Sequence, residues 1–245
     1  MDEISTQFIN AARFASAKDI ARFTRFLDPA QVHEALAVAR EHGVFFSAWG
    51  GYDQAERVIG CFHPSDVTVE RAEFPLMCLG AQFSSRFCHI THRDLLGSFM
   101  ALGLTRDCIG DIIISDECVY LFVTEQTAPF IAVSMTSAGR ASLSFKVMDA
   151  VPVIPEPKGT VFSAVVSSLR LDSVLASAYH LSRSDAAAMI RSGLVKVDHL
   201  PQERVDFLLK EGALLSVKGK GRVRFTAVNG VTKKQRIGIS LFRYE

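Results

Sequence analysis

The stretch RLDSVLASAYHLSRSDAAAMIRSGLVKVD, Arg170 to Asp198, reads as two short helices followed by a strand. RLDSVLASA predicts the first helix. Ser182 predicts the N-cap of the second, with Asp185 three residues on as its capping-box acid. Ala186, Met189 and Ile190 make the apolar stripe of that helix, and Gly193 ends it. The positive residues Arg170, Arg183, Arg191 and Lys196 stand at the ends of these pieces rather than along one face. An arginine in the first turn of a helix opposes the helix dipole and costs a few tenths to about 1 kcal/mol. Its placement makes sense if the guest is a phosphate. The free N–H groups of the helix start, the Ser182 and Ser184 hydroxyls and the Arg183 guanidinium would then converge on one anion.

The residues that follow extend the same theme. GALLSVKGKGRVRFTAV supplies further strands around a glycine–lysine turn. Regular alternation would place Lys218, Lys220, Arg222 and Arg224 on one side and Val217, Val223 and Phe225 on the other. Charges of this kind also protect a solvated edge strand. The distribution of charge favours a polyanionic partner. Ser163 to Glu245 holds 14 Lys and Arg against 7 Asp and Glu, while the rest of the chain holds 13 against 19. A net charge of +1 thus conceals a basic C-terminal part and an acidic front.

This segment resembles the small RNA-binding domain named after protein four of the small ribosomal subunit, the alpha-L motif. The resemblance rests on Arg170-Leu171-Asp172, on Ser182-Arg183, and on Gly193 with the strand Val195-x-Val197. The pattern usually continues with Asn-Gly and later Gly-Asp, where this chain has Asp198-His199 and Gly212-Ala213. Those departures bear on turn geometry more than on the RNA face.

Working outward, DAVPVIPEPKGT carries three prolines and a glycine and reads as a stiff linker, set at 151–162. Ahead of it, 74–150 reads as strand, helix, strand, strand, helix, strand. The pieces are PLMCLGAQF, THRDLLGSFMALG capped by Thr91 with Asp94, GDIIISDECVYLFVTE, TAPFIAVSMTSAG and RASLSFKVM. This is the split-βαβ plan shared by ferredoxin-like enzymes, regulatory domains and RNA-recognition folds. Residues 1–73 read as a mixed domain. SAKDIARFTRFL has helical spacing, Asp28-Pro29 caps a helix that runs to Gly43, and VFFSAWGGY is a strand ending in a glycine turn. The fold class is therefore α+β in three small domains, the last (163–245) being the alpha-L-type domain with a basic C-terminal extension. The tail TKKQRIGISLFRYE is again strand-like.

RFLDPAQ, WGGYDQAER and the βαββαβ block ahead of the C-terminal domain resemble the bacterial YlmH family over nearly the full length. That resemblance implies a small N-terminal domain, an RNA-recognition-like middle domain and the alpha-L domain. It also implies association with the large ribosomal subunit and tRNA in rescue of stalled ribosomes, with no catalysis and no cofactor.

Other constellations weigh less. Tyr120 and Phe122 share a face of the third middle-domain strand, where an RNA-recognition fold stacks bases, but they equally suit a core. Cys88, His89 and His92 in CHITH lack a fourth ligand and any zinc spacing, so no metal is expected. Five widely spaced cysteines read as reduced thiols. MDEISTQFIN is not a signal peptide, and no apolar run approaches the ~20 residues of a membrane span. A cytoplasmic monomer is expected. GxGxxG, P-loop, GxSxG and HExxH motifs do not occur, which weakens the readings as a nucleotide-binding enzyme or an RNA-modifying enzyme. A cell-division scaffold using the acidic front is the third reading.

Overall fold

Helix α1 (Glu3–Lys18) ends where Asp19 turns left-handed at φ 52°, and the chain continues as strand β1 (Arg22–Leu27). The helical spacing of SAKDIARFTRFL is therefore overridden in its second half. Phe23, Phe26 and Leu27 sit three and four apart, but pairing of β1 with β3 decides their conformation. Helix α2 (Pro29–Glu41) is capped by Asp28, whose side chain accepts the Gln31 N–H at 3.0 Å. Gly43, at φ 65°, closes the other end, with Val44 N–H on the Ala39 carbonyl. Strands β2 (Phe45–Trp49) and β3 (Val58–His63) complete an antiparallel sheet in the order β1-β3-β2.

Next come β4 (Leu76–Gln82), α3 (His92–Ala101), β5 (Ile109–Ile114), β6 (Cys118–Thr124) and α4 (Ala128–Ser134). Thr91 and Asp94 form the expected capping box on α3. The block ends differently from its alternating pattern. RASLSFKVM is divided into β8 (Ala141–Ser142), which pairs with β7 (Ser137–Ala138), and β9 (Lys146–Val147), which joins β4. The Leu143 N–H bonds to the Thr136 carbonyl, turning Leu143 and Phe145 into the helix-side core between the two pieces. The sheet order β5-β6-β4-β9, antiparallel throughout, is that of the split-βαβ plan.

This computed structural model describes residues 3–84, 88–115, 117–150, 153, 159–232 and 235–244. Its chain divides into two compact units, Met1–Pro155 and Glu156–Glu245. The expected turn residue Asp116 and most of the expected linker, 151–152 and 154–158, lie outside the described residues.

The first unit joins the two regions set at 1–73 and 74–150 through a common core. Strand β3 is buried on both faces: Phe62 points to α1 and α2, while Ile59 and Cys61 point to Phe74, ahead of the second sheet, and to Cys78 and Phe122 within it. The other face of that second sheet, through Leu79, Val119, Leu121 and Val123, packs under α3 and α4. The layers run helix, sheet, sheet, helix. Loop 50–57 secures the join. Tyr52 stacks on Phe122 with centroids 5.2 Å apart, and its hydroxyl donates to Asp111 at 2.7 Å. The Arg57 guanidinium donates to the carbonyls of Ile109, Phe26 and Arg106. Tyr52 therefore packs across the two sheets.

The second unit begins with β10 (Gly159–Val166), a strand that the proline-rich composition hid. It pairs along its whole length with β15 (Ile237–Tyr244). Helices α5 (Leu171–Ala178) and α6 (Arg183–Arg191) follow, then β11 (Val195–Val197), β12 (Leu200–Pro201), β13 (Leu214–Val217) and β14 (Gly221–Val231). The sheet order is β10-β15-β14-β13-β11-β12. Val195, Val197, Leu215, Val217, Val223, Phe225, Ile239 and Leu241 line one face and pack beneath the two helices.

Candidate nucleic-acid interface

The start of α5 is closed off by its own chain. The Leu171 and Asp172 N–H groups bond to the carbonyls of Phe207 and Val205. Asp172 is nearly buried, and it organises the corner. Its Oδ2 accepts from Arg183 at 2.7 Å, and its Oδ1 accepts from Arg170 at 3.2 Å and from the Ser173 N–H at 2.9 Å. Burial alone would raise the pKa of this carboxyl. The hydrogen bonds and charges of Arg183 and Arg170 outweigh it, so the group titrates below the ordinary range. The Arg170 and Arg183 side chains keep 40% and 56% of their surface exposed, so each presents N–H donors outward from a fixed root. The Asp172 carboxylate thus fixes two guanidiniums at one corner.

The start of α6 is open. Among the described residues no acceptor takes the N–H groups of Arg183 and Ser184. Ser182 caps the helix: its hydroxyl accepts the Asp185 N–H at 3.0 Å and donates to the Asp185 carboxylate at 2.7 Å. Asp185 thus takes the hydroxyl proton rather than the backbone N–H that a capping box would give it. Ser184 lies 2.7 Å from Ser182, hydroxyl to hydroxyl. Both serines therefore serve the cap, and the first turn holds a carboxylate beside its arginine.

The remaining cations do not line up as alternation suggested. Lys218 and Lys220 lie in the β13–β14 turn, with Gly219 and Gly221 at φ 79° and 85°. The Tyr179 hydroxyl, at the end of α5, donates to the Gly221 carbonyl at 3.0 Å and ties this turn to the helix pair. Burial pushes that phenol up to about 12, although the Arg243 charge pulls it down. Arg222 and Arg224 alternate with buried Val223 and Phe225, and Lys196 alternates with buried Val195 and Val197. These three stand on the sheet face away from the helices. The nine residues therefore form a helix corner, a hairpin tip and an outer sheet face.

Asp198-His199 occupies a two-residue hairpin between β11 and β12, and both residues have positive φ, 48° and 70°. This is the handedness a type I′ Asn-Gly turn requires, so the strand carrying Lys196 keeps its course. In the first unit Phe122 is fully buried against Tyr52 and presents no face to a base, and Tyr120 packs partly into the same cluster. The core, not base stacking, accounts for Phe122. Thr91 and His92 start α3, and among the described residues no three His, Cys, Asp or Glu side chains are grouped to hold a metal. No helix of the described residues is long and apolar enough to cross a membrane.

Asp172 was missed as the organiser because it reads as an ordinary acid in a first helical turn. Also missed were Phe242 and Tyr244, whose spacing of two matches that of Arg222 and Arg224 on the neighbouring strand.

A split-βαβ unit followed by a helix pair on an antiparallel sheet, with Arg170 and Arg183 held at the second helix start, is the architecture of an RNA-binding protein of the alpha-L class. Residues 169–215 match the family model described as the S4 domain, and residues 70–151 match the one described as "Putative RNA-binding domain in YlmH". The chain is 36% identical over 223 residues to the "Ribosome-associated protein quality control protein P2" of Bacillus subtilis (strain 168), covering 91% of this chain and 87% of that one. It belongs to the YlmH family. A solved structure, the "Cell division protein ylmH from Streptococcus pneumoniae", is similar in fold at TM-score 0.52 and 20% identity, over 59% of this chain and 88% of that one.

Proposed function

We propose that this protein acts on the ribosome without catalysing a reaction, binding large-subunit rRNA and tRNA in rescue or quality control of stalled ribosomes. The observation that carries the reading is the corner in which Asp172 holds Arg170 and Arg183 beside the two open N–H groups of α6. Fixed guanidiniums at a helix start suit a phosphate backbone better than any small substrate. Lys196, Lys218, Lys220, Arg222 and Arg224 add phosphate contacts on the hairpin tip and the sheet, and Ser182 and Ser184 keep the helix start in shape. The curated relative, whose name places it on the ribosome in protein quality control, supports the same setting. The protein works in the cytoplasm as a monomer. Sucrose-gradient sedimentation with ribosomal subunits tests the reading. Co-migration with the large subunit at low salt, released at high salt, is expected. Sedimentation at the top of the gradient under both conditions contradicts it.

A further inference from the structure

The outer face of the C-terminal sheet carries a second surface of different chemistry. Strand register sets its members. Lys196 stands opposite Ser216, and Ser216 opposite Arg222. The Arg222 guanidinium lies 5.0 Å from the centre of the Tyr244 ring. The next row runs from Val161 to Phe242 to Arg224. Arg224 donates to the Tyr244 hydroxyl at 2.7 Å, and the Phe242 and Tyr244 rings meet edge to face with centroids 4.9 Å apart. A Cβ at Gly159 would come within 2.6 Å of Phe242 Cζ, so the ring lies over bare backbone there. Val161 is 66% exposed beside it. Beyond Arg224 the row continues to Leu214, whose N–H the Asp198 carboxylate accepts at the hairpin edge, and α5 and α6 pack on the opposite face.

We propose that this face binds single-stranded RNA, with bases stacking on Phe242 and Tyr244 and phosphates meeting Arg222, Arg224 and Lys196. The inference rests on the RNA-binding reading above and divides its labour: the helix corner takes the phosphates of folded RNA, and the sheet takes an unpaired segment. Aromatic rings and guanidinium planes on a sheet face can use base faces only where bases are unstacked, which excludes a duplex. A second copy of the chain would bring two sets of these cations into one interface. A protein partner of ordinary composition would have to bury the Lys196 ammonium and the Arg224 guanidinium against a mostly apolar surface. A single strand supplies both the rings and the charge.

Fluorescence anisotropy on the full chain tests this, using a short uridine oligonucleotide and, separately, large-subunit rRNA. The wild type binds the oligonucleotide at low salt, and Tyr244→Ala weakens that binding about tenfold, as the loss of one stacking partner does. Val161→Glu, at an exposed position that spares the core, weakens it as well, with folding of both variants verified by circular dichroism. Wild-type binding to rRNA but not to the oligonucleotide overturns the inference and leaves the RNA reading standing, whereas binding to neither overturns both. Folded variants that bind the oligonucleotide like the wild type also overturn it. So does a wild-type dimer in sedimentation equilibrium that Val161→Glu converts to monomer, since the face would then belong to a second copy.

Discussion

Asp172 Oδ2 lies 2.7 Å from the Arg183 guanidinium, across eleven residues of chain, while its other oxygen holds Arg170. The acid therefore positions the two cations that would meet RNA. Charge counting and positioning make opposite forecasts here. Asp172→Asn raises the net charge and by charge alone strengthens RNA binding. Positioning requires the reverse: affinity for rRNA falls about fivefold, the equivalent of about 1 kcal/mol. Filter binding at fixed salt reads the sign.

The same carboxylate shapes the acid limb of stability. Its pKa in the folded chain lies below the unfolded value of about 3.9. Its contribution is thus fully present above that unfolded value and is lost as pH falls from there through the folded pKa. In Asp172→Asn that part of the pH dependence disappears. Hydrogen exchange of the α5 amides between neutral pH and acid follows it, and equal pH slopes for the two proteins would contradict it.

Gly51 is required by its surroundings. It sits at φ 100°, and a Cβ there would come within 2.3 Å of Phe122 Cδ1. Gly51→Ala is expected to destabilise the first unit by about 2 to 4 kcal/mol. Trp49, the sole tryptophan, reports that unit in urea unfolding.

His199, at φ 70°, adopts a conformation that costs a side-chain-bearing residue roughly 1 kcal/mol. His199→Gly therefore stabilises the second unit by about 0.5 kcal/mol once the added freedom of the unfolded chain is deducted. Thermal melts monitored at the strand band show it.

What could be read ahead of the structure followed local chemistry. Asp28 with Gly43, Thr91 with Asp94, and Ser182 with Gly193 mark helix ends because caps satisfy backbone groups within a few residues. What could not be read depended on distant pairing. Strand β1 carries helical spacing and is decided by β3, while β10 is decided by β15 at the other end of the unit. The site divides the same way. Arg170 and Arg183 stand out as misplaced charges, but their common holder is visible only once the helix pair brings Asp172 to Arg183. Tyr244 meets Arg222 only through the β14–β15 register. The occlusion of Phe122 depends on a sheet from a region expected to be a separate domain.

The central claim is that Arg170 and Arg183 contact phosphate. The salt dependence of binding to purified large ribosomal subunits tests it most directly, comparing the wild type with the double variant Arg170→Ala/Arg183→Ala. Each lost phosphate contact removes a little under one counterion, so the slope of log affinity against log salt should become shallower by roughly 1.5 to 2 as affinity falls. An unchanged slope and affinity in a folded double variant would contradict the account.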